Sequence, residues 1–99
     1  MKRGTTPVIT VYVSGCDLRK LKKIIVTFAQ GDIQIDKESE EMEIEETVLR
    51  VSLTQEETLM LNDGKVSVQL RAIDEYGRAI ASDICDAPVD RILKDGVIS

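Results

Sequence analysis

The sequence contains no histidine, which removes the most frequent general base of enzymes and the most frequent side-chain ligand of transition metals. Its two cysteines, Cys16 and Cys85, are far apart and do not form the Cys-x-x-Cys spacing of a zinc site. The carboxylates are numerous, but they lie in polar stretches and not in the apolar surroundings that raise a catalytic pKa. We therefore expect a protein that is not an enzyme and that holds no cofactor and no metal ion.

Aromatic residues are scarce, since tryptophan is absent and Tyr12, Phe28 and Tyr76 are the only members of the class. A sugar-binding surface is disfavoured, because such surfaces stack aromatic faces on their ligands. The 42% of apolar residues are mostly Val, Ile and Leu, which suit a pleated sheet. With 99 residues, the chain has room for one domain, and we assign it residues 1–99.

Long apolar runs are also absent. No stretch approaches the roughly 18 residues that span a membrane, and the first seven residues lack the apolar centre of a secretion signal. We expect a chain that is made and used without crossing a membrane. Thiols usually stay reduced in that setting, so we expect Cys16 and Cys85 to be free and near the core, with a disulfide between them as the alternative.

Apolar and polar residues alternate with period two in several short segments, as is typical of half-buried β-strands. The predicted strands cover residues 8–13, 22–30, 33–35, 42–45, 48–53, 65–73 and 79–89. Gly31-Asp32 has the length of a hairpin turn between the second and third strands. The apolar parity changes after Ile44, which requires a turn near residues 46–47. Mixed parity around residues 85–87 predicts a bulge in the last strand.

One short helical turn interrupts the strands. Thr54 and Glu57 have the Thr-x-x-Glu spacing of a capping box, and Asn62-Asp63-Gly64 tolerates the conformations that end a helix. We predict this turn over residues 54–61. About seven strands, with turn signals every 8 to 12 residues, predict an antiparallel β sandwich.

Charge is distributed unevenly along the chain. Residues 1–23 contain six basic side chains and one acidic one, whereas residues 32–57 contain ten acidic and two basic side chains. We expect one positive and one negative end or edge, which would suit docking of like subunits or of a foreign partner, with two solvated faces as the simpler interpretation. The acids lack the Asp-x-Asp-x-Asp-Gly order of a calcium loop, and the basic residues lack aromatic neighbours for nucleic-acid stacking.

The last nine residues are more apolar than a disordered terminus usually is. We expect this tail either to complete the sandwich edge or to pack on a neighbouring subunit. The candidate partner-contact residues are Ile92, Leu93, Lys94, Val97 and Ile98.

Several short segments carry a resemblance to a known family. They are Leu53-Thr54-Gln55-Glu56-Glu57-Thr58, Asp63-Gly64-Lys65-Val66, Gln69-Leu70-Arg71-Ala72-Ile73, Tyr76-Gly77 and Ala81-Ser82. In this order they resemble the N-terminal domain of phage baseplate upper proteins and related small prophage-encoded proteins. The opening Arg3-Gly4-Thr5-Thr6-Pro7 and the stretch from Ile92 to Ile98 are also similar to short prophage proteins of this kind. The resemblance covers residues 48–90 and implies an all-β, immunoglobulin-like β sandwich of about seven strands.

The same resemblance implies a non-enzymatic structural or adaptor protein of a phage tail or baseplate. Its partners would be other phage structural proteins, or copies of itself in a homo-oligomer, in the bacterial cytoplasm during assembly and then in the virion. No membrane contact is expected, and nucleic acid is a poor candidate for a partner. The alternative hypothesis is an acidic phage-encoded inhibitor, in which residues 38–46 mimic nucleic acid and bind a host protein.

Overall fold

The computed structural model describes residues 1–99 and contains two antiparallel β-sheets that share one core. The strands are β1 (Val8–Tyr12), β2 (Leu21–Gln30), β3 (Ile33–Glu38), β4 (Met42–Ile44), β5 (Val48–Ser52), β6 (Gly64–Asp74), β7 (Ala79–Ala81) and β8 (Cys85–Val89). Two 3-10 turns, Leu18–Lys20 and Ser39–Glu41, and one short helix, α1 (Gln55–Met60), lie between them.

The strand order is that of an immunoglobulin-like sandwich. The smaller sheet has the order β1-β5-β4, and the larger has β3-β2-β6, with β7 and β8 following each other along the other side of β6. These positions correspond to strands B, E and D in one sheet and to C′, C, F and G in the other. Because β7 and β8 share one strand position, the prediction of about seven strands in an all-β immunoglobulin-like sandwich is confirmed.

The core lies between the sheets because the period-two alternation directs one side-chain face of each strand inward. Ile24, Val26 and Phe28 of β2 are almost completely buried, as are Leu49 and Val51 of β5. Full burial of a side chain of this size contributes about 1.5–3 kcal/mol relative to exposure. The core contains thirteen buried apolar residues drawn from both sheets and their connections.

The predicted turns are confirmed. Gln30 pairs with Ile33 across the β2–β3 hairpin, and Gly31 adopts a φ of +56° there, a conformation that glycine takes without strain. The parity change between β4 and β5 is absorbed by a turn in which the N–H of Glu45 donates to the carbonyl of Val48 over 2.8 Å. Helix α1 occupies the predicted residues 54–61, with Thr54 and Leu61 as its caps.

The bulge in the last strand lies earlier than predicted. Arg71 pairs with Ala81 and Val68 with Cys85, so two residues of β6 face the three residues 82–84. The predicted position at residues 85–87 is therefore wrong, since those residues pair regularly within β8. Ser82 holds the bulge, because its N–H donates to the carbonyl of Leu70 and its hydroxyl accepts from the Leu70 N–H. The alternation of apolar residues in the sequence shows only that the inward-facing set changes within the last strand. The contact of Ser82 with Leu70 determines the position of the bulge.

Both cysteines are free, as predicted. Cys16 is partly buried and packs against the core. Cys85 is exposed, so the expectation that it lies near the core is wrong.

Candidate partner interface

Helix α1 closes one end of the sandwich where the chain crosses from β5 to β6, and a capping box fixes its start. The Thr54 hydroxyl accepts from the N–H of Glu57 over 3.1 Å, and the Glu57 carboxylate accepts from the N–H of Thr54 over 2.8 Å. Each side chain thus satisfies a backbone donor that the first helical turn leaves free. The sequence spacing alone predicted this contact.

An ion pair joins α1 to the larger sheet. Lys37 of β3 lies on the inward face of its strand, where its side chain is only 9% exposed, and its ammonium nitrogen is 2.8 Å from Oε1 of Glu57. Burial alone would raise the pKa of Glu57, but the hydrogen bonds from Lys37 and from the Thr54 backbone outweigh it and hold the pKa below 4.5. The parity of Ile33, Ile35 and Lys37 was the signal that could have located this lysine.

The N-terminal segment runs along the last strand. The Asp90 N–H donates to the Met1 carbonyl over 2.7 Å, and the Arg3 N–H donates to the Asp90 carbonyl over 3.0 Å. Lys2 and Asp90 form a parallel bridge between these bonds. The predicted strand pattern began only at residue 8, so this contact was missed.

Arg3 then fastens the C-terminal end of α1. Its guanidinium donates to the carbonyls of Leu61 and Leu59, over 2.5 and 2.9 Å, where a helix has carbonyls without intrahelical partners. The third guanidinium nitrogen, Nη1, is 3.5 Å from the carboxylate of Asp95 in the tail. One side chain therefore connects the N-terminal segment, the helix and the tail.

A buried threonine and a glycine complete this end of the sandwich. The Thr58 hydroxyl accepts from the N–H of Thr5 over 3.2 Å and donates to the Thr5 carbonyl over 3.0 Å. Gly4 has a φ of +68°, and a Cβ atom there would lie 2.8 Å from Cδ1 of Ile92. Glycine is thus required at position 4 both by its conformation and by the tail side chain packed over it.

The tail forms no strand, so the expectation that it completes the sandwich edge is wrong. It lies instead along α1, where the Ile98 N–H donates to the Gln55 side chain over 3.1 Å and the Gln55 amide donates to the Ile98 carbonyl over 3.0 Å. The tail cannot join the sheet at β8 because residues 1–3 already lie against residues 88–90.

The five predicted partner-contact residues differ in exposure because the tail lies along α1. Ile92 is partly buried, and its side chain lies over Gly4, beside which Leu59 also lies. Lys94 is exposed, and Leu93, Val97 and Ile98 are exposed by 97%, 53% and 66%. We call these three apolar residues the tail surface. They are held in place by Ile92, Asp95 and the Ile98 backbone, so they are presented on an ordered segment. Contact with a neighbouring subunit stays a prediction.

The acidic residues of the segment 38–46 lie in and around the edge strand β4, but several of them form ion pairs with basic residues. Glu45 pairs with Arg50, and Glu38 and Glu41 pair with Lys23 and Lys37 over 3.1 and 3.6 Å. The hydrogen bond that Arg50 donates to the Glu45 carboxylate raises the pKa of Arg50 further above its ordinary range.

The prediction that the basic residues form one positive end or edge is wrong. The basic residues of the first 23 positions are split, because Lys2 and Arg3 lie beside the end of β8, whereas Arg19, Lys20, Lys22 and Lys23 lie where β2 meets the far end of β6.

The depressions on the surface of the protein are open grooves and not enclosed cavities. One groove of about 330 Å³ crosses the outer face of the larger sheet and is lined by Lys23, Ile25, Arg71, Ile73 and neighbouring residues. No group of three or more His, Cys, Asp or Glu side chains is arranged to hold a metal ion.

Neither α1 nor a 3-10 turn has the length and hydropathy of a membrane-spanning helix.

Comparison with protein-family models, with curated proteins and with solved structures gives no match to this chain.

Proposed function

We propose that the chain is a non-enzymatic structural or adaptor module of a phage tail or baseplate, and that it acts through protein–protein contacts. The phage assignment is supported by the sequence resemblance over residues 48–90. The mode of action is supported by one observation above all, the tail surface of Leu93, Val97 and Ile98 on a segment docked to α1. Large apolar side chains on an ordered surface favour burial against another protein.

The proposed partners are other phage structural proteins or further copies of this chain. The proposed location is the virion, after assembly in the bacterial cytoplasm. In this role the sandwich is a rigid scaffold, and the N-terminal segment, α1 and the tail together form the contact end. Arg3 supports this arrangement because it bonds to α1 and to Asp95 at the same time.

The proposal is tested by mass spectrometry of gradient-purified particles from an induced prophage that encodes the chain. We expect the protein in assembled particles at a constant ratio to tail proteins. Its absence from every assembled particle would contradict the proposal.

A pair of variants then tests the tail surface. Leu93→Asp should reduce incorporation into particles by at least about tenfold, since a charge would be buried at a packed contact. Tyr76→Asp is the matched control, because Tyr76 is also a large exposed residue but lies in the β6–β7 turn, away from the tail. Equal incorporation of the two variants would exclude the tail surface as the contact.

The alternative function, an acidic inhibitor that mimics nucleic acid, is favoured by the acids beside β4 that form no ion pair within 4 Å, among them Glu40, Glu43 and Glu46. It is weakened by the pairing of Glu38, Glu41 and Glu45 with basic residues of the same chain. Charge reversal at Glu40, Glu41, Glu43 and Glu45 separates the two functions. Loss of binding to a host nucleic-acid enzyme, with particle assembly intact, would favour the inhibitor.

A further inference from the structure

We propose that β1 (Val8–Tyr12) accepts one additional β-strand from a partner chain, an uncharged extended segment with apolar side chains at alternate positions. The inference rests on the proposed function, since it names a contact by which the module would join a neighbouring protein.

The backbone of β1 is hydrogen-bonded on one side only. At its two ends the N–H of Leu53 donates to the carbonyl of Pro7 over 3.1 Å, and the N–H of Val13 donates to the carbonyl of Thr47 over 2.8 Å. Such bonded pairs recur at every second residue of an antiparallel ladder. The odd-numbered residues of β1 therefore face β5, and the backbone groups of the even-numbered residues point away from it.

Val8, Thr10 and Tyr12 thus present three N–H and three carbonyl groups along an edge where β1 has no neighbouring strand. Between Pro7 and Val13 this edge carries no charged side chain, no further proline and no bulge, the usual devices that keep edge strands from pairing. Val8 and Tyr12 are exposed by 58% and 79% beside it. A row of free backbone donors and acceptors selects an extended peptide as its ligand, through strand addition.

The opposite sheet leaves inward-facing side chains uncovered on this same side. Ile80 of β7 pairs with the buried Ala72 and therefore shares its inward face, yet Ile80 is 42% exposed. Cys85 of β8 pairs with Val68, which packs against the core, and Cys85 is exposed as well. In immunoglobulin domains the corresponding sheet has four strands, and its strand A lies beside strand B, the position that β1 occupies here, and covers this region. An added strand next to β1 would take that place.

The space beside β1 suits one strand and not a second sandwich. Strands β7 and β8 overhang it, as the exposure of Ile80 shows. Suppose that two copies paired their β1 strands antiparallel and so joined their smaller sheets into one. The β7 and β8 strands of both copies would then lie on the same face of the joined sheet, above the same pair of β1 strands, and would collide. A single extended segment avoids this conflict. Apolar side chains on its inner face would cover Ile80, and an uncharged segment matches an edge that offers no charge to pair with.

The test is a titration of the purified full chain with a fluorescent synthetic heptapeptide of alternating valine and threonine, followed by fluorescence anisotropy. We expect saturable binding. Thr10→Pro should weaken it at least about tenfold, because one outward N–H is lost and the ring blocks close approach. Thr10→Val keeps that N–H and should bind within about twofold of the original chain. Absence of saturation, or equal affinity of the two variants, would overturn the proposal.

Amide hydrogen exchange of the unmodified chain provides a readout that does not depend on the folding of Thr10→Pro. Peptide addition should slow exchange at Val8, Thr10 and Tyr12, and slowing confined to other strands would overturn the proposal. A dimer seen by sedimentation and abolished by Thr10→Pro would also overturn it, since a second copy would then occupy the edge. These measurements use the isolated chain, so their failure leaves the particle test of the proposed function unaffected, and the reverse also holds.

Discussion

The ammonium group of Lys37 lies 2.8 Å from the carboxylate of Glu57, although one residue belongs to a strand and the other to the helix that closes the sandwich. Glu57 also accepts from the Thr54 N–H, so one carboxylate both caps α1 and neutralises a buried lysine. Glu41 is the second anion near Lys37, at 3.6 Å. The helix and the edge strand β3 are therefore coupled by charge as well as by packing.

Glu57→Gln should lower the free energy of unfolding by about 1–3 kcal/mol. Glutamine can retain the capping contact, so the loss reports mainly the lysine left without its closest anion. Urea denaturation measures the effect. The double variant Lys37→Met, Glu57→Gln should recover part of the loss, because no buried charge is then unpaired. A loss below about 0.5 kcal/mol for the single variant would show that the pair is not a stabilising contact.

Stability should decrease on acidification because of the same carboxylate. The pKa of Glu57 is lower in the folded chain than its ordinary value of 4.5, so its contribution is complete above that value and disappears as pH falls through the folded pKa. The pKa of Asp36 is also lowered, through hydrogen bonds from Thr27 and Gln34, and acts in the same direction. Thermal melting between pH 7 and about pH 3 should show a steeper decline for the original chain than for Glu57→Gln. If the melting temperatures of the two proteins fall in parallel as the pH decreases, Glu57 does not contribute to the pH dependence of stability.

Arg3→Met should destabilise the chain by about 1–3 kcal/mol, because two carbonyls at the end of α1 lose a charged donor. Denaturation and limited proteolysis measure the effect, and we expect earlier cleavage in the tail, since Asp95 also loses its partner. Lys2→Met is the matched control, because Lys2 is exposed and makes no side-chain bond, and it should stay within about 0.5 kcal/mol. Equal stability of the two variants would exclude the proposed role of Arg3.

Gly4→Ala should be costlier than Gly15→Ala. Both glycines have positive φ, +68° and +89°, so both variants incur a conformational cost of about 1–2 kcal/mol. Only the new Cβ at position 4 meets Ile92, at 2.8 Å, while nothing lies within 4 Å at position 15. Urea denaturation should show the larger loss of stability for Gly4→Ala. When both glycine variants are made in a chain that already carries Ile92→Ala, the difference between their losses should be smaller. If Ile92→Ala leaves the difference unchanged, the tail does not pack over Gly4 in solution.

The two thiols should react at different rates with a thiol-specific reagent. Cys85 is exposed and Cys16 is partly buried against the core, so Cys85 should be modified first in the folded chain. Both should react fully after denaturation without reductant. A single reactive thiol, or none, under denaturing conditions would contradict the free state of the pair.

Much of the fold was predictable because its signals are local. The alternation in β2, β5 and β6 determines which face of each strand is buried, and the Thr54–Glu57 spacing determines where α1 begins. Each of these patterns depends on residues a few positions apart, so it is present in the sequence before any tertiary contact forms.

The candidate sites were less predictable, because they depend on which strands become neighbours. The tail residues were predicted as partner contacts, but their docking on α1 depends on Arg3 and Gly4, which lie almost the full chain away. The exposed edge of β1 depends on the path of residues 1–3, which pair with the end of β8 and not with β1. The position of the bulge in the last strand depends on Ser82 bonding to Leu70.

The sequence by itself determined an all-β chain of short strands with one capped helical turn, because side-chain periodicity and capping chemistry act within single elements. Only the tertiary structure decided that Lys37 points inward to Glu57, that the tail leaves the sheet for α1, and that β1 keeps a free edge. Those outcomes are contacts between segments distant along the chain, and their free energies depend on packing that no local pattern contains.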